Sequence, residues 1–184
     1  MAFLTAITAL SSVLLLVQSP RASEYQLKAV FLFNFVQFVD WPRSAPQDSQ
    51  PAPSRPAAPL LIGIVGDDPL GPFLDETVRG ERLGERPIQV RRYHRIADLE
   101  ECQILFISRS ESERVPEILS SVKNRPVLTV SDADGFANQG GMIQFVTDKS
   151  RIRLRINLDA AQAANLTISS KLLRVAELVR APKR

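Results

Sequence analysis

Short apolar runs rich in β-branched residues recur along the middle of this chain, separated by segments long enough to hold helices or turns. Leu60–Val65, Ile88–Tyr93, Ile104–Ile107 and Val127–Val130 are the runs. Strands that alternate with helical segments pair in parallel, because a parallel neighbour needs a long connection back to the same end of the sheet. Between the first two runs, Gly66-Asp67-Asp68-Pro69 reads as a turn, with Asp68 as N-cap and Pro69 at the first position of a helix that runs to Gly80. Ser110 and Glu113 have capping-box spacing and open a helix to about Val122.

The ends of the chain add to this frame. Ser23 and Gln26 form a further capping box, so a helix is expected from Ser23 to about Val39, ending before Trp41-Pro42. Gln26, Asn34 and Gln37 share a narrow stripe on it, and nearly everything else is Leu, Val or Phe; such a helix is buried on most sides. Lys28 is the exception, and its long stem is expected to carry the ammonium to water. Near the other end, Met142–Thr147 and Arg151–Ile156 flank Asp148-Lys149-Ser150 as a hairpin, and Asn157 and Ser169 read as N-caps of two closing helices, with Asn165 at the break between them. The expected fold class is therefore α/β: a mostly parallel central sheet flanked by helices, with a C-terminal hairpin and two closing helices.

Residues 1–22 have the pattern of a signal peptide. Ala2–Val17 is uncharged and rich in Ala, Leu, Ile and Val, too short and too often interrupted by Ser and Thr for a membrane span of roughly 20 apolar residues. An uncleaved anchor is the alternative, because no basic residue precedes the run and Pro20-Arg21-Ala22 is an imperfect cleavage box. Removing this segment takes Arg21 from the 23 basic residues, set against 20 acidic ones, so the net charge falls from +3 to +2. A near-neutral product without gathered Lys and Arg is not expected to bind nucleic acid. Residues 23–184 are read as a single domain in which residues 44–59, with five prolines, form a surface loop.

The scarce residues exclude whole chemistries. With His94 and Cys102 as the single His and the single Cys, the chain can build neither a His/Cys zinc site nor an intramolecular disulfide. His94 has no nucleophile-elbow Ser near it, and Gly63 and Gly66 are too sparse for a phosphate-cradling loop. Cys102, just ahead of an apolar run, reads as a buried small hydrophobe. No catalytic residue, metal site or cofactor is expected.

Two constellations could bind. Asp67, Asp68 and Asp132 follow strands, with Asp134 close behind, and the carboxyl ends of strands are where open α/β sheets take ligands. These residues are equally suited to caps and turns. A phosphoreceiver would need an acceptor Asp on the intervening strand, which ends instead in Ser108-Arg109. Arg151, Arg153 and Arg155 alternate with Ile152, Leu154 and Ile156, so three guanidinium groups share one face of a strand, as a solvated surface or as an anion- or partner-binding one.

Several blocks carry a family resemblance. The opening helix ending in Trp41-Pro42, the Gly66–Pro69 turn, Ile104–Ile107 followed by Ser108, Leu128-Thr129-Val130-Ser131-Asp132, Gly140-Gly141-Met142-Ile143, Ile156-Asn157-Leu158-Asp159-Ala160 and Ile168-Ser169-Ser170-Lys171-Leu172-Leu173 together resemble the YfiR family. The resemblance implies an exported periplasmic α/β protein that acts by binding. Its partner would be the sensor region of an inner-membrane diguanylate cyclase of the YfiN type, held inactive so that cyclic-di-GMP, and with it biofilm formation, is controlled. An OmpA-like outer-membrane lipoprotein of the YfiB type would sequester it, and a homodimer is open. Redox tuning through disulfides, present in some members, should be absent here. On the best-matching blocks the resemblance places Arg153, Arg155, Asn157, Ile168 and Lys171 on the partner-facing surface, and Trp41, Ile143, Phe145, Leu172 and Leu173 in the core. A periplasmic small-ligand sensor using Asp67, Asp68 and Asp132, or the arginine face, is the alternative function.

Overall fold

The computed structural model describes residues 20–42, 57–99, 102–149 and 151–180. Most of the expected signal peptide and of the proline-rich loop lies outside them. Helix α1 (Pro20–Phe38) leads into a short strand β1 (Val39–Asp40). The chain continues through β2 (Leu60–Val65), α2 (Gly71–Val78), β3 (Arg82–Leu83), β4 (Arg86–Tyr93), β5 (Ile104–Ile107), α3 (Val115–Ser121) and β6 (Leu128–Ser131). It closes with β7 (Ile143–Asp148), β8 (Arg151–Asn157), α4 (Leu158–Ala163), β9 (Thr167–Ile168), α5 (Ser170–Leu173) and β10 (Glu177–Val179).

Among the described residues one sheet holds eight strands in the order β10-β8-β7-β6-β5-β2-β4-β3. β2 pairs in parallel with β4 on one side and β5 on the other, and β6 extends the parallel run to β7. The β7–β8 hairpin and the short β3–β4 pair are antiparallel. The expected class, a mostly parallel sheet flanked by helices, is what the chain forms.

Strand alternation explains why the central strands are apolar on consecutive residues. In β5, Ile104 and Phe106 face a core shared with α1 and α2, while Leu105 and Ile107 face a second core under α3. A strand covered on both faces must be hydrophobic at every position. Cys102 belongs to the second core, where burial pushes its thiol up to about 11, as befits an inert small hydrophobe. Leu32, Phe35 and Val36 of α1 are buried on the first face. Leu27 and Val30 of the same helix are exposed, so α1 is covered on fewer sides than its composition suggests.

Local boundaries shift for identifiable reasons. The Asp68 carboxylate accepts hydrogen bonds from the amides of Leu70 and Gly71, which extends the loop and starts α2 at Gly71 rather than Pro69, with Pro72 in its first turn. The cap after β5 is Ser108, whose hydroxyl accepts from the Ser110 amide; a 3-10 turn (Arg109–Arg114) follows, and α3 begins only beside Pro116. Pro116 lacks the N–H needed to continue a helix from residue 112, so the α-helical ladder restarts there. Asn157 and Ser169 do cap α4 and α5, and Asn165 adopts a positive φ of 58° at the break. Among the described residues beyond α5 none forms a helix: β10 adds in parallel to β8, a pairing no local pattern signalled. Its register sets Glu177 opposite Arg155, and the two side chains form an ion pair at 3.0 Å.

Gly141 is packed against the buried Phe136, and a Cβ there would overlap the ring. Gly141→Ala is expected to cost about 1–3 kcal/mol through overpacking, read as a lower urea midpoint, with part of the loss recovered by a second change, Phe136→Leu. An unchanged midpoint would contradict this packing.

Candidate functional site

The carboxyl ends of β5, β6 and β7 meet the first turns of α1 in a polar cluster. β6 ends at Ser131, whose hydroxyl accepts from the Ala133 amide at 2.9 Å and turns the chain so that Asp132 points under α1. Lys28 donates to Asp132 Oδ2 at 2.8 Å, and both side chains are 2% exposed. The same ammonium lies 2.6 Å from Glu24 Oε1 one turn back, and 4.6 Å from the centre of the Tyr25 ring. Thr147 of β7 donates its hydroxyl to Glu24 at 2.8 Å. Arg109, just after β5, donates through Nη2 and Nε to the Asp132 carbonyl at 2.8 and 3.2 Å, and its guanidinium lies 3.8 Å from the Asp134 carboxylate. These residues line a cavity of about 320 Å³.

The electrostatics follow from the pairing. Desolvation alone would lower the Lys28 pKa, but hydrogen bonds to Asp132 and Glu24 outweigh it, and the ammonium is held above its ordinary range. Burial pushes Glu24 upward, yet the bonds from Lys28 and Thr147 and the nearby positive charges leave its carboxyl below its ordinary value. The expectation that Lys28 reaches water is therefore corrected: a carboxylate from a distant strand end replaces the water.

The expected ligand-binding acids do not come together. Asp132 is in the cluster. Asp68 is spent as a strut, capping the start of α2 and accepting from Arg92 at 2.7 Å, while Arg92 also holds Asp75. Asp67 is exposed, and its amide donates to the Ser110 hydroxyl. Of the expected partner-facing residues, Arg153 and Lys171 are exposed and Arg155 is half-buried. Asn157 and Ile168 are corrected. Asn157 is 1% exposed, because its side chain caps α4 and donates to the Ala137 carbonyl. Ile168 is 5% exposed, because β9 pairs with β1 and turns it into the core. Ile143, Phe145 and Leu172 are buried, Leu173 is half-buried, and half-buried Trp41 donates its indole N–H to the Gln103 carbonyl at 3.2 Å.

Glu24, Tyr25, Lys28, Arg109 and Thr147 were not expected as site residues. One local signal was present, a Glu and a Lys four apart on an otherwise apolar helix, the spacing of an intrahelical ion pair. Among the described residues no group of three or more His, Cys, Asp or Glu is placed to hold a metal ion, and no helix is long and apolar enough to cross a membrane.

The fold and the site define an α/β protein wound outward from a central strand, with a charged cleft at the carboxyl ends of its parallel strands. Two solved structures share that fold. One is a conserved domain protein from Vibrio cholerae O1 biovar El Tor, with 12% identity and a TM-score of 0.50 over 64% of this chain and 54% of that one. The other is an ABC domain from Streptococcus pneumoniae solved in complex with L-Trp, with 12% identity and a TM-score of 0.50 over 65% of this chain and 55% of that one. The chain thus spans about half the length of each. No curated protein matches it in sequence. The chain belongs to the YfiR/HmsC-like family, which matches residues 25–177. That family is one of periplasmic regulators of diguanylate cyclase signalling rather than of enzymes.

Two outcomes test the cluster. Lys28→Ala strands the Asp132 carboxylate in the interior and is expected to cost about 3–5 kcal/mol, measured by urea denaturation, whereas Lys28→Met with Asp132→Leu recovers most of it. Because the folded-state pKa of Glu24 lies below its unfolded value, its contribution is present above about pH 4.3 and is lost as pH falls through the lower folded value. Glu24→Gln should therefore flatten the acid limb of the stability–pH curve and, because Glu24 helps hold the Lys28 ammonium charged, also bring the alkaline loss of stability to lower pH.

Proposed function

We propose that this chain binds the sensor region of an inner-membrane diguanylate cyclase from the periplasmic side and restrains it, lowering cyclic-di-GMP without catalysis. The single observation that carries this reading is the family match over residues 25–177. The surface supports it. Leu178, 55% exposed, lies on the edge strand β10, and Val175, 72% exposed, just precedes it. Large apolar side chains exposed at a sheet edge suit a protein partner. An OmpA-like lipoprotein that sequesters the chain, a homodimer, and export through a cleaved signal peptide belong to the same proposal.

Co-purification with candidate membrane cyclases and cyclic-di-GMP levels in a deletion strain test it. The expected result is a bound cyclase and raised nucleotide on deletion. Unchanged nucleotide and no bound cyclase would overturn the reading. Val175→Asp with Leu178→Asp is expected to weaken capture by about tenfold or more, the loss of about 1.4 kcal/mol or more at a contact, while the chain stays folded by circular dichroism.

A further inference from the structure

A second cavity, of about 180 Å³, opens at the amino ends of β6 and β7, the opposite end of the sheet from the charged cleft. Leu119 and Val122 at the end of α3, Met142 just ahead of β7, and Ala160 and Ala164 in and just after α4 form its walls. Met142 and Ala164 belong to the first apolar core and Val122 to the second, so the cavity lies on the seam between the two. The buried Thr129 hydroxyl in the lining is already engaged, accepting from the Met142 amide at 3.1 Å. Walls of this kind offer water few partners and an apolar body many contacts.

Size and charge together select the ligand. An apolar cavity of about 150 Å³ takes a benzene-sized body, so this one admits a single ring or a short branched chain. Lys123 is the one charged residue among those lining it, and Lys123 and its neighbour Asn124 are both exposed. Neither side chain has a hydrogen bond or ion pair to another described residue. An ammonium and a carboxamide N–H are the donors that a carboxylate accepts from. A cationic head would meet a like charge, and no carboxylate lines the cavity to hold it. A neutral molecule gains the apolar contacts and leaves the ammonium unused. We propose that this cavity binds a small apolar monocarboxylic acid. The ring or branched chain lies between α3 and α4, and the carboxylate accepts from Lys123. This site stands apart from the cyclase reading, and either can fail alone.

The test is a titration of the full ¹⁵N-labelled chain, followed by amide shifts, with benzoate as the probe. Acetate supplies the head without the body, benzyl alcohol the body without the charge, and benzylamine the opposite charge. The expected result is saturable shifts with benzoate, centred on Val122, Lys123, Gly140 and Ala163, with benzyl alcohol weaker and acetate and benzylamine not saturating. Lys123→Ala should weaken benzoate about threefold to fivefold, the worth of an exposed ion pair, and leave benzyl alcohol unchanged. Ala163 is exposed at the last residue of α4 and lines the cavity, so Ala163→Leu occupies the space from the surface side. It should abolish the benzoate shifts while the chain stays folded by circular dichroism. The proposal is overturned if benzoate does not saturate, if any of the other three binds as tightly, if the shifts map elsewhere, or if either variant binds benzoate as the parent chain does.

Discussion

The ion pair between Lys28 and Asp132 joins the first helix to the end of β6 across 104 residues of sequence. Two charges that are each almost wholly removed from water destabilise a fold unless their hydrogen bonds are met. Here the ammonium is met from several elements, while among the described residues Asp132 Oδ1 has no donor. Glu24 takes the same ammonium, Thr147 braces Glu24, the Tyr25 ring faces the cation, and Arg109 holds the Asp132 main chain in place. α1 is thereby set against the sheet in one orientation, since sliding the helix by a residue would leave both charges unpaired. Apolar packing of Leu32, Phe35 and Val36 supplies adhesion to the sheet, and the charge pair supplies the register.

The winding of the sheet makes the place where this pair sits a cleft rather than a core. From β2 the chain goes out to β4, then crosses back to lay β5 and β6 on the other side. The carboxyl ends of β2 and β5 are close-packed: the Ser110 hydroxyl receives the Asp67 amide, and a Cβ on Gly66 would meet Ser110 and Glu111. Open space lies one strand further along, between β6, β7 and α1, with charged walls. The body thus has two distinct regions: this cleft, and the exposed apolar side chains at and beside β10 on the outer edge of the sheet.

Much of the sheet was legible in the chain because its determinants are local. β2 and β5 have the bounds expected from their apolar runs, and the β7–β8 hairpin lies where the Asp148-Lys149-Ser150 turn put it. Asn157 and Ser169 cap their helices through their own side chains, which depends on the next few residues only. The misplaced elements are those fixed by pairing. β10 is a strand because β8 offers a free edge, and β9 exists because β1 lies opposite it. Asn157 and Ile168 illustrate the limit for surfaces: both sit in blocks that resemble the family, but a matching block does not say which of its residues face inward, and these two do.

By itself the sequence determined the α/β class, the parallel core strands and the caps at Asn157 and Ser169, and its single His and single Cys exclude a His/Cys metal site and an intramolecular disulfide, since each follows from residue type and short-range spacing; the caps expected at Ser23, Asp68 and Ser110 did not form there. It also carried the family. The tertiary structure alone decided that Lys28 is buried, that Asp68 is a strut while Asp132 is a partner, and that Glu24, Arg109 and Thr147 share one cleft. The reason is physical. The energy of a charge depends on how much water surrounds it and on which opposite charge lies within a few ångströms, and both are set by elements that meet only when the sheet has formed.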